Sequence, residues 1–156
     1  MIYYYCPDSD IKSAGIRRLY EHVHVLAKAG FNTAILHSKS AFCRKDLPEV
    51  PVFGLDQQGI LKQNDTVVFP EGFPGLMAEF KDLPVRKLVI CLSWTYVFGA
   101  LPQKVTWRDY GIERIIGDSE YTTEMVGWAM NLPAHCIVNQ INEKLYYKQT
   151  LSEKKK

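Results

Sequence analysis

The sequence predicts an α/β fold with a mostly parallel sheet. Short apolar runs typical of strands alternate along the chain with stretches in which apolar residues recur at helical spacing. The run at residues 87–92 (KLVICL) is apolar after its lysine, as in a parallel strand covered on both faces. The chain has 156 residues, of which 47% are hydrophobic and 23% charged, which fits one globular domain.

The first half of the chain shows the alternation clearly. Residues 2–6 form a short aromatic run that indicates a strand, and Ser13 then begins a helix that ends at Gly30. The expected buried stripe of this helix is Ile16, Leu19, Tyr20, Val23, Leu26 and Ala27. Residues 38–49 are polar and irregular, which predicts a loop. Further strands are expected at residues 31–37, 50–55 and 66–69.

The second half continues the pattern. One or two helical turns are expected at residues 73–80, followed by the strand at 87–92 and a short strand at 114–116. Asp118 or Ser119 can cap the next helix, which Pro133 ends before a last strand at 135–138. The expected buried face of that helix is Tyr121, Met125, Trp128, Ala129 and Leu132.

Charge and composition exclude several classes of function. The net charge of +2 depends on the three lysines at 154–156, so the rest of the chain has no excess of basic residues for binding nucleic acid. The four cysteines are far apart, and His22 and His24 would point in different directions on a helix, so no metal site is expected. No run is long enough to span a membrane and no signal peptide is visible, which predicts a cytoplasmic protein.

Candidate site residues follow the predicted strands, because ligands bind at the carboxyl ends of parallel strands. Ser13, Ala14 and Gly15 open a helix whose N-terminal amides and dipole favour an anion, and their small side chains would let a phosphate approach. Arg17 would add a charged contact. The alternative is an ordinary helix cap with a glycine for close packing, since the segment is not a G-x-G-x-x-G motif.

Polar and aromatic residues follow the other strands: Glu71, Ser93, Trp94, Tyr96, Ser119 and Asn139. Glu71 can accept a bond from a sugar hydroxyl or cap a turn. Trp94 and Tyr96 can form an aromatic wall or pack in the core, and Ser93 is not in a G-x-S-x-G elbow. Capping explains Ser119, and a turn explains Asn139. No complete catalytic constellation is visible.

Several segments in order carry a resemblance to a known family. They are residues 6–37, with the helix ending LAKAGFNT, residues 65–71 (DTVVFPE), residues 86–90 (RKLVI), the helix start at Ser119, and residues 138–146 (VNQINEKLY). Each motif is weak alone, but their order over nearly the whole chain resembles the N-terminal domain of family-4, GT-B-type glycosyltransferases. The E-x7-E spacing from Glu71 to Glu79 is taken as coincidence, because the family's donor motif of that form belongs to the second domain.

The resemblance implies a Rossmann-like three-layer domain, half of a GT-B architecture. Residues 1–147 would be the acceptor-side domain, and residues 148–156 a polar, lysine-rich tail or the start of a linker. The implied function is that half of a nucleotide-sugar-dependent enzyme of polysaccharide biosynthesis, inactive without a C-terminal donor-binding half. No cofactor would be tightly bound. The partners would be a nucleotide-sugar and a carbohydrate or glycolipid acceptor, with no nucleic acid.

Two departures from the family pattern and two alternatives remain open. Ala14 stands where the family's first loop has a glycine, which would cost energy if the backbone there needs a positive φ. In the loop after the central strand, where members of the family often have amide or histidine side chains, this chain has the stretch from Ser93 to Thr95. One alternative is a stand-alone, non-catalytic interaction module with Trp94, Tyr96 and Phe98 as its partner surface. The other is a small flavodoxin-like nucleotide-binding protein.

Overall fold

Seven parallel strands form one sheet. The computed structural model describes residues 1–138, so the predicted boundary at residue 147 and Asn139 lie outside the described part. The strands are β1 (Ile2–Tyr5), β2 (Thr33–His37), β3 (Val52–Gly54), β4 (Thr66–Pro70), β5 (Arg86–Cys91), β6 (Arg114–Gly117) and β7 (Ala134–Cys136). Their order across the sheet is β3-β2-β1-β4-β5-β6-β7, and every neighbouring pair is parallel. The predicted α/β class is confirmed.

The helices cover both faces of the sheet. They are α1 (Ala14–Lys28), α2 (Pro74–Glu79), α3 (Trp94–Ala100) and α4 (Glu120–Met130), with a 3₁₀ helix at Trp107–Tyr110. The sequence pattern does not predict α3 or the 3₁₀ helix. Aromatic and β-branched residues dominate α3 and have modest helix propensity. In addition, the side chain of Ser93 makes no capping bond, so the local signal for α3 is weak.

Two hydrophobic cores lie on opposite faces of the sheet, because successive strand side chains point to opposite sides. One core packs under α1 and contains Tyr4, Ile35, Val68 and Ile90 from the strands. The other packs under α2, α3, the 3₁₀ helix and α4. Right-handed crossovers explain this division, because the chain moves in one direction from β1 to β2 and in the other from β4 to β7. The result is a three-layer domain.

The direction of strand addition reverses between β1 and β4. The chain leaves β1 to build β2 and β3 on one side, then returns to place β4 against the other side of β1. The connecting segments therefore diverge to opposite faces above these two strands. Such a reversal leaves a crevice at the carboxyl ends of the strands, where ligands bind in open α/β sheets.

The predicted buried face of α4 is wrong at Tyr121 and Trp128, whereas Met125 and Leu132 are partly buried against the core. Its buried residues are Thr122, Thr123, Val126 and Met130. Tyr121 and Trp128 are 69% and 85% exposed. The Thr123 hydroxyl donates to the carbonyl of Ser119 at 2.6 Å, so this polar side chain is satisfied inside. In α1 the predicted stripe is buried at Ile16, Leu19, Tyr20 and Val23, whereas Ala27 is exposed.

Within residues 1–138, none of the helices is long and apolar enough to cross a bilayer. The longest of the four, α1, has 15 residues, and its exposed side carries charged side chains. The same part of the chain contains no cluster of three or more histidine, cysteine, aspartate or glutamate side chains that could hold a metal ion.

Candidate functional site

A cleft of about 1050 Å³ opens at the carboxyl ends of β1, β4 and β5. Three segments wall it: residues 7–19, residues 70–73 and residues 92–100. These segments follow the three strands around the reversal of strand order, so the topology itself places the cleft. Its volume is at the upper end of the range for small-molecule sites.

The N-terminus of α1 opens into this cleft. Ser13 precedes the helix with extended backbone, its side chain makes no capping bond, and the first turn contains no acidic residue. Ser13, Ala14 and Gly15 all line the cleft. The first amides of a helix have no partner within the helix, so these N–H groups remain available to an acceptor from outside. Such an acceptor would most favourably be an anion.

Small residues keep this helix start accessible. A methyl group added at Gly15 would lie 3.4 Å from Leu92 Cδ1 and 3.6 Å from Ser13 Oγ, which fills the entrance without a severe clash. Ala14 is not among the non-glycine residues with positive φ in the described part of the chain, which are Asn64, Lys104 and Asn131. The alanine that departs from the family pattern therefore takes ordinary helical backbone without strain.

Glu71 is the carboxylate of the cleft. It follows β4, is 4% exposed, and accepts a hydrogen bond from the backbone N–H of Ser93 at 2.8 Å. Burial raises the pKa of Glu71, the charge of Asp118 raises it further, and backbone hydrogen bonds oppose both effects. The side chain therefore ties the loop after β4 to the loop after β5, and it can exchange hydrogen bonds with a bound hydroxyl group.

Hydroxyl and aromatic side chains form the opposite wall. Ser93 Oγ and Thr95 Oγ1 are 2.7 Å apart, and both residues line the cleft with Tyr96. Tyr96 and Trp94 are 66% and 41% exposed, so the alternative that they pack in the core is wrong. Tyr96 can present its ring to a ligand in the cleft.

The other predicted site residues lie elsewhere. Arg17 is exposed on α1 and does not line the cleft, and neither does Trp94. Ser119 caps α4, where its hydroxyl accepts from the amide of Thr122 at 3.2 Å. Glu79 is exposed on α2 while Glu71 is buried in the cleft, so the E-x7-E pair does not meet at one site.

The sequence pattern does not indicate the polar network that lies at the end of β1. The Nδ1 atom of buried His37 lies 2.8 Å from the carbonyl oxygen of Cys6, and its Nε2 atom lies 2.8 Å from the hydroxyl of Tyr20. A carbonyl can only accept, so Nδ1 carries the proton and Nε2 accepts from Tyr20. Burial lowers the pKa of His37. Cys6, which follows β1, is thereby joined to β2 and α1.

Arg44 was also missed, although its guanidinium bonds to the cleft wall. It donates to the carbonyl oxygens of Ser9 and Ile11 and pairs with Asp46. A single arginine in an irregular polar loop gives no periodic signal. Its importance depends on contacts with residues more than 30 positions away in the sequence.

No family model, curated protein or solved structure matches the chain. The function must therefore be inferred from the cleft and from the residues that line it. The family resemblance of the sequence motifs stays a prediction.

Proposed function

We propose that this chain is the acceptor-side half of a nucleotide-sugar-dependent glycosyltransferase. The observation that carries the proposal is the cleft at the reversal of strand order, into which the uncapped N-terminus of α1 opens. The ordered sequence motifs of the family-4 enzymes support the same assignment. The substrates would be a nucleotide-sugar and a carbohydrate or glycolipid acceptor.

The amides at the start of α1 would act on the departing diphosphate. Glycosyl transfer leaves negative charge on the diphosphate, and helix N-terminal N–H groups stabilise such charge. Among residues 1–138, those that line the cleft include no lysine or arginine, so what they offer a phosphate is amides and hydroxyls. The remaining cationic contacts and the nucleotide site would come from a C-terminal, donor-binding half.

Glu71 and Tyr96 would hold the acceptor. A buried carboxylate accepts hydrogen bonds from sugar hydroxyls, and an exposed aromatic ring covers the apolar face of a sugar. Both residues line the same cleft as the helix start. The acceptor hydroxyl would therefore be presented next to the leaving diphosphate.

A titration with inorganic pyrophosphate tests the diphosphate role at single residues. We expect amide resonances of Ala14, Gly15 and Ile16 to shift in ¹H–¹⁵N spectra as pyrophosphate is added. The amides of Tyr121 and Thr122 provide the internal control, because Ser119 caps α4. Equal shifts at both helix starts, or no shift at residues 14–16, would contradict the proposal.

A transfer assay tests the requirement for a second half. The purified chain of 156 residues should show no sugar transfer from nucleotide-sugars, because the proposal assigns the nucleotide site to a separate donor-binding half. Addition of a cognate C-terminal half should restore donor binding. Sugar transfer by the chain alone would show that it is not half of an enzyme.

One observation favours the interaction-module alternative. Trp94, Tyr96 and Phe98 are all exposed on the short helix α3. Clustered exposed aromatic residues are typical of partner surfaces. Sedimentation velocity distinguishes the interaction module from the glycosyltransferase half. The module would be favoured by a stable homodimer that the substitutions Trp94→Ser and Phe98→Ser dissociate, together with no response to pyrophosphate.

A further inference from the structure

The wall of the cleft between β1 and α1 has no helix or strand of its own. This wall consists of residues 7–13, and Ser9 and Ile11 within it line the cleft. One other loop supplies polar bonds to this wall. We call residues 38–46, which follow β2, the strap.

Arg44 is the centre of the strap. Its Nη1 atom donates to the carbonyl oxygen of Ser9 at 2.6 Å and to that of Ile11 at 3.1 Å. Arg44 is only 7% exposed. Both carbonyls are thereby directed at the guanidinium, which fixes the backbone on either side of Asp10.

Asp46 holds the guanidinium in position. Arg44 Nε donates to one carboxylate oxygen of Asp46 at 2.8 Å, and Nη2 donates to the other at 2.9 Å. This two-point pairing fixes the plane of the guanidinium and leaves Nη1 for the two carbonyls. The ammonium of a lysine has no such planar fork and would not reproduce the arrangement.

A second set of hydrogen bonds joins the same two segments. Asp8, in the cleft wall, accepts hydrogen bonds from the backbone amides of Ser38 at 2.9 Å and Lys39 at 3.1 Å. In both sets the strap donates and the wall accepts, through the carbonyls of Ser9 and Ile11 and the carboxylate of Asp8. Residues 7–13 are fixed near both ends of the Ser9–Ile11 segment.

We propose that Arg44 is a positioning residue that holds the wall of the cleft in its binding shape. It does not line the cleft and acts through Ser9 and Ile11. Because the wall continues directly into the first turn of α1 at Ser13, the same hydrogen bonds also fix the orientation of that turn relative to the cleft. The inference rests on the proposed function only for the identity of the ligand.

Hydrogen exchange tests the positioning role without any ligand. In Arg44→Met and Arg44→Lys, the amides of Ser38 and Lys39, which donate to Asp8 of the wall, should exchange about tenfold faster or more, while amides of β1, β4 and β5 keep their protection. Asp46→Asn, at a half-exposed site, should give the same local pattern more weakly. The control is Arg86→Met, which removes an exposed arginine paired with Glu113. Unchanged exchange at Ser38 and Lys39, wild-type behaviour of Arg44→Lys, or an increase throughout the sheet would overturn the proposal.

Pyrophosphate titration adds the functional readout. Loss of preorganisation in Asp46→Asn and Arg44→Met should raise the apparent Kd by roughly threefold to tenfold, with Arg86→Met unchanged. Wild-type affinity in all variants would overturn the positioning role. If the wild-type protein itself gives no response, the proposed function fails, and the exchange experiment still decides whether the strap holds the wall.

Discussion

The helices α1 and α4 begin alike and differ in what their first turns do. Each follows a strand and a short segment, and each is preceded by a serine with extended backbone. Ser119 accepts a bond from the amide of Thr122, and Glu120 adds a negative charge at the start of α4. Ser13 makes no capping bond, and no acidic residue lies in the first turn of α1.

The difference separates a helix start that is satisfied within the protein from one left open to a ligand. The capped start of α4 lies outside the cleft, and the open start of α1 lies in it. At the start of α1, a capping side chain would occupy the free amides, and an acidic neighbour would repel an anion. The absence of a stabilising cap on α1 is therefore consistent with the binding of an anion at its first turn.

The largest expected effect on stability comes from substituting Gly117, the glycine near the start of α4. A methyl group at Gly117 would clash with Thr123 Oγ1 and lie 3.0 Å from Thr123 Cα. The Thr123 hydroxyl is fixed by its bond to Ser119, so the side chain cannot simply turn away. Gly117→Ala should lower the free energy of unfolding by roughly 2 to 3 kcal/mol.

Urea unfolding measures this effect. Gly75→Ala is the control, because nothing lies within 4 Å of the added methyl group. A loss below about 0.5 kcal/mol in Gly117→Ala would show that the packing of α4 on β6 is looser than the structure indicates.

A second difference is that α1 carries a half-buried histidine, His22, whereas the buried residues of α4 are not titratable. Burial, with the nearby charge of Arg18, lowers the pKa of His22 from 6.5 to about 4. The unfolded chain therefore takes up a proton below pH 6.5 that the folded protein takes up only near pH 4. This contribution lowers stability as the pH falls through that window.

Between pH 7 and pH 5 the His22 contribution should cost about 1 to 2 kcal/mol of unfolding free energy. His22→Gln should lose less stability over the same range than the wild-type protein, as measured by urea unfolding at each pH. His37, whose pKa is also lowered, stays in both proteins and cancels in the comparison. Identical pH profiles would contradict the assignment to His22.

The same two helices show why part of the fold could be predicted. In α1 the buried residues are apolar by type, so spacing alone identified the face that packs on the sheet. In α4 two buried residues are threonines, and they are inside because Gly117 leaves room and Ser119 accepts a hydrogen bond. Spacing of apolar residues could not reveal these contacts.

Prediction of the candidate site had the same limit. Ser13, Ala14, Gly15, Glu71, Ser93 and Tyr96 were found because a parallel sheet brings residues after its strands to one edge. Arg17 follows the helix start in sequence, but the turn of α1 carries it out of the cleft. Arg44 was missed because its partners are defined only once β1 and β2 pair.

Removal of the two serine side chains compares the caps directly. Ser119→Ala should lower the free energy of unfolding by about 1 kcal/mol, because the amide of Thr122 loses its partner. Ser13→Ala should change it by less than about 0.3 kcal/mol, since no capping bond is lost. Thermal and urea unfolding of both variants measure the difference. Equal losses would show that Ser13 caps α1 in solution.

The smallest expected effect is a gain in stability that comes with weaker binding. Gly15→Ala should raise the free energy of unfolding by about 0.5 kcal/mol, because alanine favours the helix and its methyl group meets Leu92 only at 3.4 Å. Gly75→Ala, in α2 outside the cleft, should give a comparable gain. Only Gly15→Ala should weaken the pyrophosphate response, since its methyl group narrows the approach to the open amides. If both variants bind as the wild type does, the start of α1 is open for some reason other than an anion.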